Sequence, residues 1–145
     1  MDMDTTPKDA RSQGRWQGMN WIRQEKRLAI YLRDGLACAY CGDSVEDGAT
    51  LTLDHLTPHS RGGSNATANL VTACERCNKS RGVRPVRTFC RAVAEYLNHD
   101  VTAREIERHV RATSRRALDM DEAKALIARR GSAARVLAQT TETGR

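Results

Sequence analysis

The amino-acid sequence predicts an α+β fold in which a short pair of strands sits among amphipathic helices. Three observations predict it. Two short runs of strand character, Thr50-Leu51-Thr52-Leu53 and Leu70-Val71-Thr72, lie close together in the middle of the chain. Apolar residues recur at helical spacing before and after them. Aromatic residues make up only 4% of the 145, so burial alone would hold the chain weakly and some cross-link is expected to help.

Taken in order, residues 1–19 mix Asp, Thr, Pro, Arg, Gln and Gly without apolar periodicity and read as a flexible arm. From Trp21 a helical stripe (Trp21, Leu28, Leu32) runs to Arg33 and stops at Asp34-Gly35. Cys38 to Gly42 reads as a tight turn, and the first strand then leads into Asp54-His55. Residues 57–69 collect Pro, Gly, Ser and Asn as an ordered surface loop does. After the second strand, Cys74 to about Arg81 forms a short helix ended by Gly82. Pro85 opens a further helix with Val86, Phe89, Cys90, Val93 and Leu97 on one face. Thr102-x-x-Glu105 is a capping box for a helix with Ile106, Val110, Thr113 and Ala117 inward, and Asp119-x-x-Glu122 starts a last helix through Ile127, weakened at Gly131. These readings divide the chain into the arm, a core over 20–83 that includes the first helix, a helical extension over 84–139 and a tail over 140–145.

No stretch approaches the roughly 20 apolar residues of a membrane span, and the N-terminus has no apolar signal core, so no membrane partner and a cytoplasmic location are expected. In a reducing compartment five cysteines favour metal binding or packing over disulfides. Four of them form Cys38-x-x-Cys41 and Cys74-x-x-Cys77, spacings that let each pair bite one tetrahedral ion and together close a four-thiolate structural zinc site with no position left for water. The alternative is four reduced core cysteines. Cys90 lies on an apolar helical stripe and reads as a small buried hydrophobe. The net charge of +6 supports a polyanionic partner, and only four of the 24 basic residues are lysine, which suits phosphate recognition and equally fits a GC-rich genome.

Between the cysteine pairs lie Asp54-His55, Arg61-Gly62-Gly63 and Asn69-Leu70, and the second pair runs on as Cys77-Asn78-Lys79 with Arg81. The runs CAYC (38–41), LDHLTPHSRGGSNATANL (53–70) and ACERCNKSRG (73–82) resemble the HNH (His-Asn-His) endonuclease family, in its branch with two Cys-x-x-Cys pairs and a ββα-metal unit. The resemblance covers about residues 36–83 and lends nothing to the flanks. It implies that His55 is the first His, Asn69 the central Asn, and Asn78 the third position, where many members carry His and others Asn. It also implies a DNA endonuclease that leaves 5′-phosphate and 3′-hydroxyl ends; whether it serves a phage, a mobile element or a restriction system stays open at this point, as does the oligomeric state, with a monomer as one option.

The chemistry needs these residue types. Hydrolysis of a phosphodiester requires a base for the water proton and positive charge on the phosphate and leaving oxygen. An imidazole, with an ordinary pKa of about 6.5, suits the base role at His55. Asn69 is expected to orient that ring, and Asp54 and Asn78 offer hard oxygen ligands for Mg²⁺ or Mn²⁺. Adjacent Asp54 and His55 would point to opposite faces of an extended strand, so a turn beginning at His55 is expected. Arg61, Lys79 and Arg81 are candidate phosphate contacts, as are Arg108 and Arg111 in a basic stripe with Arg104 and Arg115; for each the alternative is solvated charge. His59, His99 and His109 read as surface or structural. The rival function is a catalytically silent zinc-stabilised DNA-binding module, and an antibacterial toxin nuclease, which would usually bring a delivery domain, is a minor third.

Overall fold

The computed structural model describes residues 21–97 and 100–143, so the arm expected over 1–19 and His99 lie outside the described residues. The element order is α1 (Gln24–Arg33), β1 (Leu51–His55), β2 (Leu70–Cys74), α2 (Glu75–Arg81), α3 (Val86–Leu97), α4 (Ala103–Ser114), α5 (Met120–Arg130) and α6 (Ala133–Thr143). Among the described residues no helix is long and apolar enough to cross a membrane.

The two strands pair antiparallel, with Leu51 opposite Cys74 and His55 opposite Leu70. Helix α2 follows β2 without a loop, because Cys74 ends the strand and caps the helix, its Sγ accepting from the Cys77 N–H at 3.4 Å. This ββα unit with helices on both flanks is the α+β architecture expected from the sequence. Side chains alternate across a strand, so each face of β1 meets a different helix. Leu51 and Leu53 pack with Ile30 and Tyr31 of α1, while Thr52 receives a 2.8 Å hydrogen bond from Asn78 of α2. Strand β2 is buried throughout, with Val71 and Ala73 joining Phe89, Val93, Ile106 and Val110 of α3 and α4 in the largest core cluster.

The end of α1 is a clamp. Arg33 and Asp34 form a 2.6 Å ion pair with almost no exposed side chain. Asp34 accepts from the Thr72 N–H at 2.8 Å, and Arg33 donates to the carbonyls of Thr67, Leu70 and Ser114, tying the helix to β2, the loop before it and α4. Helices α5 and α6 cover the opposite side of α1 through Leu28, Ala29, Ala123, Ile127, Ala133 and Val136.

Three expectations are corrected. The turn does not begin at His55: the strand holds its pairing through His55, and the Leu56 N–H still bonds to the Asn69 carbonyl at 2.8 Å. Helix α4 ends at Ser114, which takes the buried place expected of Ala117, itself exposed beyond the helix. Gly131 does more than weaken the last helix: at φ 101 it ends α5, and Ser132 opens α6 by accepting from the Arg135 N–H at 3.2 Å.

Candidate active site and metal clip

The turn at 38–42 closes when the Gly42 N–H bonds to the Cys38 carbonyl at 2.9 Å, and the Ala39 N–H bonds to Thr72 of β2 at 2.9 Å. That seats the first cysteine pair beside the second, at the start of α2. The four Sγ atoms of Cys38, Cys41, Cys74 and Cys77 all lie within 4.8 Å of one another, with Cys41 half-buried and the other three buried. Hydrogen bonds from Cys38 and Cys77 hold the Cys41 thiol far below its ordinary range. The bond with Cys41 pushes the Cys38 thiol up to about 12 against the opposing pull of Cys77, and the bonds with Cys38 and Cys41 raise Cys77 well above the thiol range. Cys38, Cys41 and Cys77 therefore do not ionise alike, and a cation bound among the cysteines would favour their thiolate forms. The donor set is compatible with one tetrahedral ion. Cys90 is fully buried on α3, and burial raises its thiol to about 11, as fits an inert packed side chain.

His55 closes β1 half-buried. Its Nε2 lies 2.8 Å from Oδ1 of Asn65, and its ring centroid lies 4.9 Å from that of Trp21. Asn65 is itself held from α1, because Lys26 Nζ donates to its carbonyl at 2.8 Å. The expected partner, Asn69, does something else. Its amide bonds to the Thr57 N–H (2.8 Å), the Thr57 carbonyl (3.2 Å) and the Ser64 carbonyl (2.8 Å), cross-bracing the loop between the strands. Its main chain already pairs with Leu56 beyond the strand end, so its side chain lies over the loop. Gly63 belongs to this brace, since a Cβ there would collide with the Thr57 carbonyl. His59 stands in the same loop, exposed, with its ring centroid 6.1 Å from that of His55.

Asp54 is only 5% exposed and turns to the other side of the strand. Its Oδ2 accepts from Tyr40 Oη at 2.6 Å and from Arg81 Nη1 at 2.7 Å. Burial raises the carboxyl above its ordinary range, and the opposing pulls of Arg81 and the Tyr40 hydrogen bond do not overcome it. Burial, reinforced by the Asp54 charge, drives the Tyr40 phenol far upward, so it stays a donor. Asn78, on the first turns of α2, donates from Nδ2 to Thr52 Oγ1 at 2.8 Å and to the Leu53 carbonyl at 3.1 Å. Its own amide oxygen and Asp54 Oδ1 take no hydrogen bond among the described residues.

The family comparison decides what this hairpin and helix are. The model for the HNH endonuclease matches residues 38–84. This segment is an HNH domain. The same region is 46% identical over 60 residues to a CRISPR-associated endonuclease Cas9 of Actinomyces naeslundii and 39% identical over 54 residues to one of Corynebacterium diphtheriae. These alignments take in 41% and 37% of this chain, and the chain spans about 5% of the length of either relative. No solved structure matches it.

Within the HNH domain, Arg81 is corrected from a phosphate contact to a buried clamp. It is 1% exposed and donates to Asp54 Oδ2, to the carbonyls of His55 and Leu56 at 2.7 Å each, and to the Arg84 carbonyl at 2.9 Å. A guanidinium so committed has little left to offer a phosphate. Lys79 and Arg61 are exposed, Lys79 near Glu75 at 3.5 Å. Beyond the domain, Arg108 is exposed, whereas Arg111 pairs with Glu107 at 3.0 Å and Glu107 also meets Arg87 at 3.3 Å, so part of the basic stripe is neutralised. Asn65 and Trp21 beside His55 and Tyr40 beside Asp54 are neighbours that sequence reasoning missed. Tyr40 could have been suspected from its place inside CAYC, but Asn65 carried no signal beyond loop composition.

Proposed function

We propose that this chain is a divalent-cation-dependent endonuclease that hydrolyses DNA phosphodiester bonds, with zinc in the four-cysteine clip as scaffold. The observation that carries this is the pairing, at one end of β1, of a base held for use with two unclaimed hard oxygens. His55 is fixed by Asn65 on one side, and Asp54 Oδ1 and the Asn78 amide oxygen are left over on the other. A catalytically silent DNA-binding module has no use for that combination. The donor set fits Mg²⁺ or Mn²⁺, which prefer carboxylate and amide oxygens. When bound, such a cation supplies Lewis-acid stabilisation of charge on the phosphate and leaving oxygen.

The remaining work falls to the chain's own residues. With the Asn65 amide oxygen on Nε2, the imidazole proton sits there and Nδ1 is the nitrogen left to accept the proton of the attacking water. Trp21 against the ring limits its rotation and shields one flank from solvent. Arg61 in the loop and Lys79 on α2 are exposed charges of the kind that suits flanking phosphates. Zinc in the clip stabilises the site without entering it, since four thiolates fill a tetrahedral ion.

The test uses the purified full chain with supercoiled and linear DNA in Mg²⁺, Mn²⁺ or EDTA, beside His55→Ala. The expected result is cation-dependent cleavage, lost by about 10²- to 10⁴-fold in the variant while DNA affinity and bound zinc are retained. Cleavage by His55→Ala at the unsubstituted rate would remove the mechanism and leave the silent binding module.

A further inference from the structure

Tyr40 is the residue whose burial and bonding the chemistry above does not yet use. It sits inside the first cysteine pair, between Cys38 and Cys41, and is 3% exposed. Its ring packs edge-on against Phe89 of α3 at 5.0 Å between centroids, and its hydroxyl reaches Asp54 Oδ2 at 2.6 Å. A tyrosine needed only to fill the core would be served as well by phenylalanine, because a buried hydroxyl costs desolvation unless it is bonded. Here the bond goes to a carboxylate that is itself 5% exposed. The second donor to that same oxygen is Arg81 Nη1 at 2.7 Å.

Resting on the proposed role of Asp54, we infer that Tyr40 is a positioning residue that couples the four-cysteine clip to the catalytic cation site. Two donors on Oδ2 fix the rotation of the carboxyl group and leave Oδ1 as the oxygen turned to a cation. One donor, Arg81, comes from the end of α2; the other is carried by the loop that the first cysteine pair folds. The clip therefore does more than hold the hairpin, because the turn it ties down delivers the phenol that aims Asp54. Partners of ligating carboxylates tune cation affinity in this way, and their loss costs about 10- to 100-fold in affinity or activity.

The experiment is Mn²⁺ binding by the full chain, with its clip metal loaded and DNA absent, followed by electron paramagnetic resonance. Tyr40→Phe keeps the ring against Phe89 and removes only the donor. The expected result is Mn²⁺ affinity lowered by about 10-fold or more, with clip metal content unchanged and Tm close to that of the unsubstituted chain. A ring that matters for packing alone would give unchanged Mn²⁺ affinity in Tyr40→Phe, and that result overturns the inference. Asp54→Asn run in parallel separates the two levels. If it lowers Mn²⁺ affinity and Tyr40→Phe does not, the positioning role alone fails. If neither does, Asp54 is not the ligand, and both readings fall together.

Discussion

Replacing Arg81 by Met separates a buried clamp from a phosphate contact, because the two roles predict opposite results. Arg81 and Asp54 are paired at 2.7 Å with side chains 1% and 7% exposed. Met keeps the apolar length of the stem but removes the charge and every N–H. The carbonyls of His55, Leu56 and Arg84 lose their donor, and Asp54 keeps Tyr40 but is left without a counter-charge. Removing one partner of a buried ion pair costs about 3 to 5 kcal/mol, since the remaining charge stays desolvated. For a domain of this size that corresponds to roughly 10–15 °C in Tm. Differential scanning fluorimetry at fixed clip-metal loading reads it directly.

The loss should also depend on pH. Burial already holds the Asp54 carboxyl above its ordinary range with Arg81 beside it, and without Arg81 that value rises further. A carboxyl whose folded pKa exceeds its unfolded one favours the folded state at low pH and loses that advantage as pH climbs through the window between the two. The deficit of Arg81→Met against the unsubstituted chain should therefore be smallest at the acid end and grow toward neutrality. A Tm within about 3 °C of the unsubstituted chain, with a shallower salt dependence of DNA binding, would refute the clamp and restore Arg81 as a phosphate contact.

Two further outcomes test the rest of the site. Asn65→Ala should lower cleavage on the order of 10²-fold with DNA affinity and Tm nearly unchanged, because it frees the His55 ring without unpacking the core; single-turnover kinetics beside a binding isotherm read the split. Stripping the clip with a strong chelator should unfold the hairpin and α2 together, because binding energy at such a site is folding energy, and circular dichroism that stays unchanged after the metal leaves would contradict it.

Much of this was legible in the sequence because its signals are local. The Cys-x-x-Cys spacings, the capping box at Thr102 and Glu105 and the apolar stripe of α3 each depend on residues a few positions apart, and each is found where expected. What was not legible depends on distance along the chain. Arg81 follows a motif Asn and carries a positive charge, which reads as a phosphate contact; only the packing of α2 against β1 shows that its partners are 25 to 27 positions away. Asn65 and Asn69 are equivalent by composition, and the choice between them depends on which faces the end of β1. Trp21 and Lys26 lie before the matched segment, so no motif could enlist them, yet Trp21, just ahead of α1, and Lys26, within it, both reach the His55 region. The second helix break at Gly131-Ser132 was read as one weakened helix because a glycine signals an ending more clearly than a serine signals a fresh start.

The straight strand through His55 bears most directly on mechanism. A turn seemed necessary because neighbouring residues of an extended strand cannot converge on one side of a phosphate. In-line displacement does not ask them to. The attacking water and the leaving oxygen lie on opposite sides of the phosphorus, so the base and the cation that stabilises the leaving group are best supplied from different directions. With the pairing kept through His55, alternation sends the imidazole toward Trp21 and Asn65 and the Asp54 carboxylate toward Tyr40 and Arg81. On the mechanism proposed above, a phosphate placed across the end of β1 would meet the base from one face and the proposed oxygen ligands from the other. Arg81 serves both arms of that arrangement, since one guanidinium nitrogen bonds the Asp54 carboxylate and the His55 carbonyl and so fixes the backbone from which the two side chains diverge. The strand's regularity then supplies the divergence, and the buried clamp keeps it from relaxing.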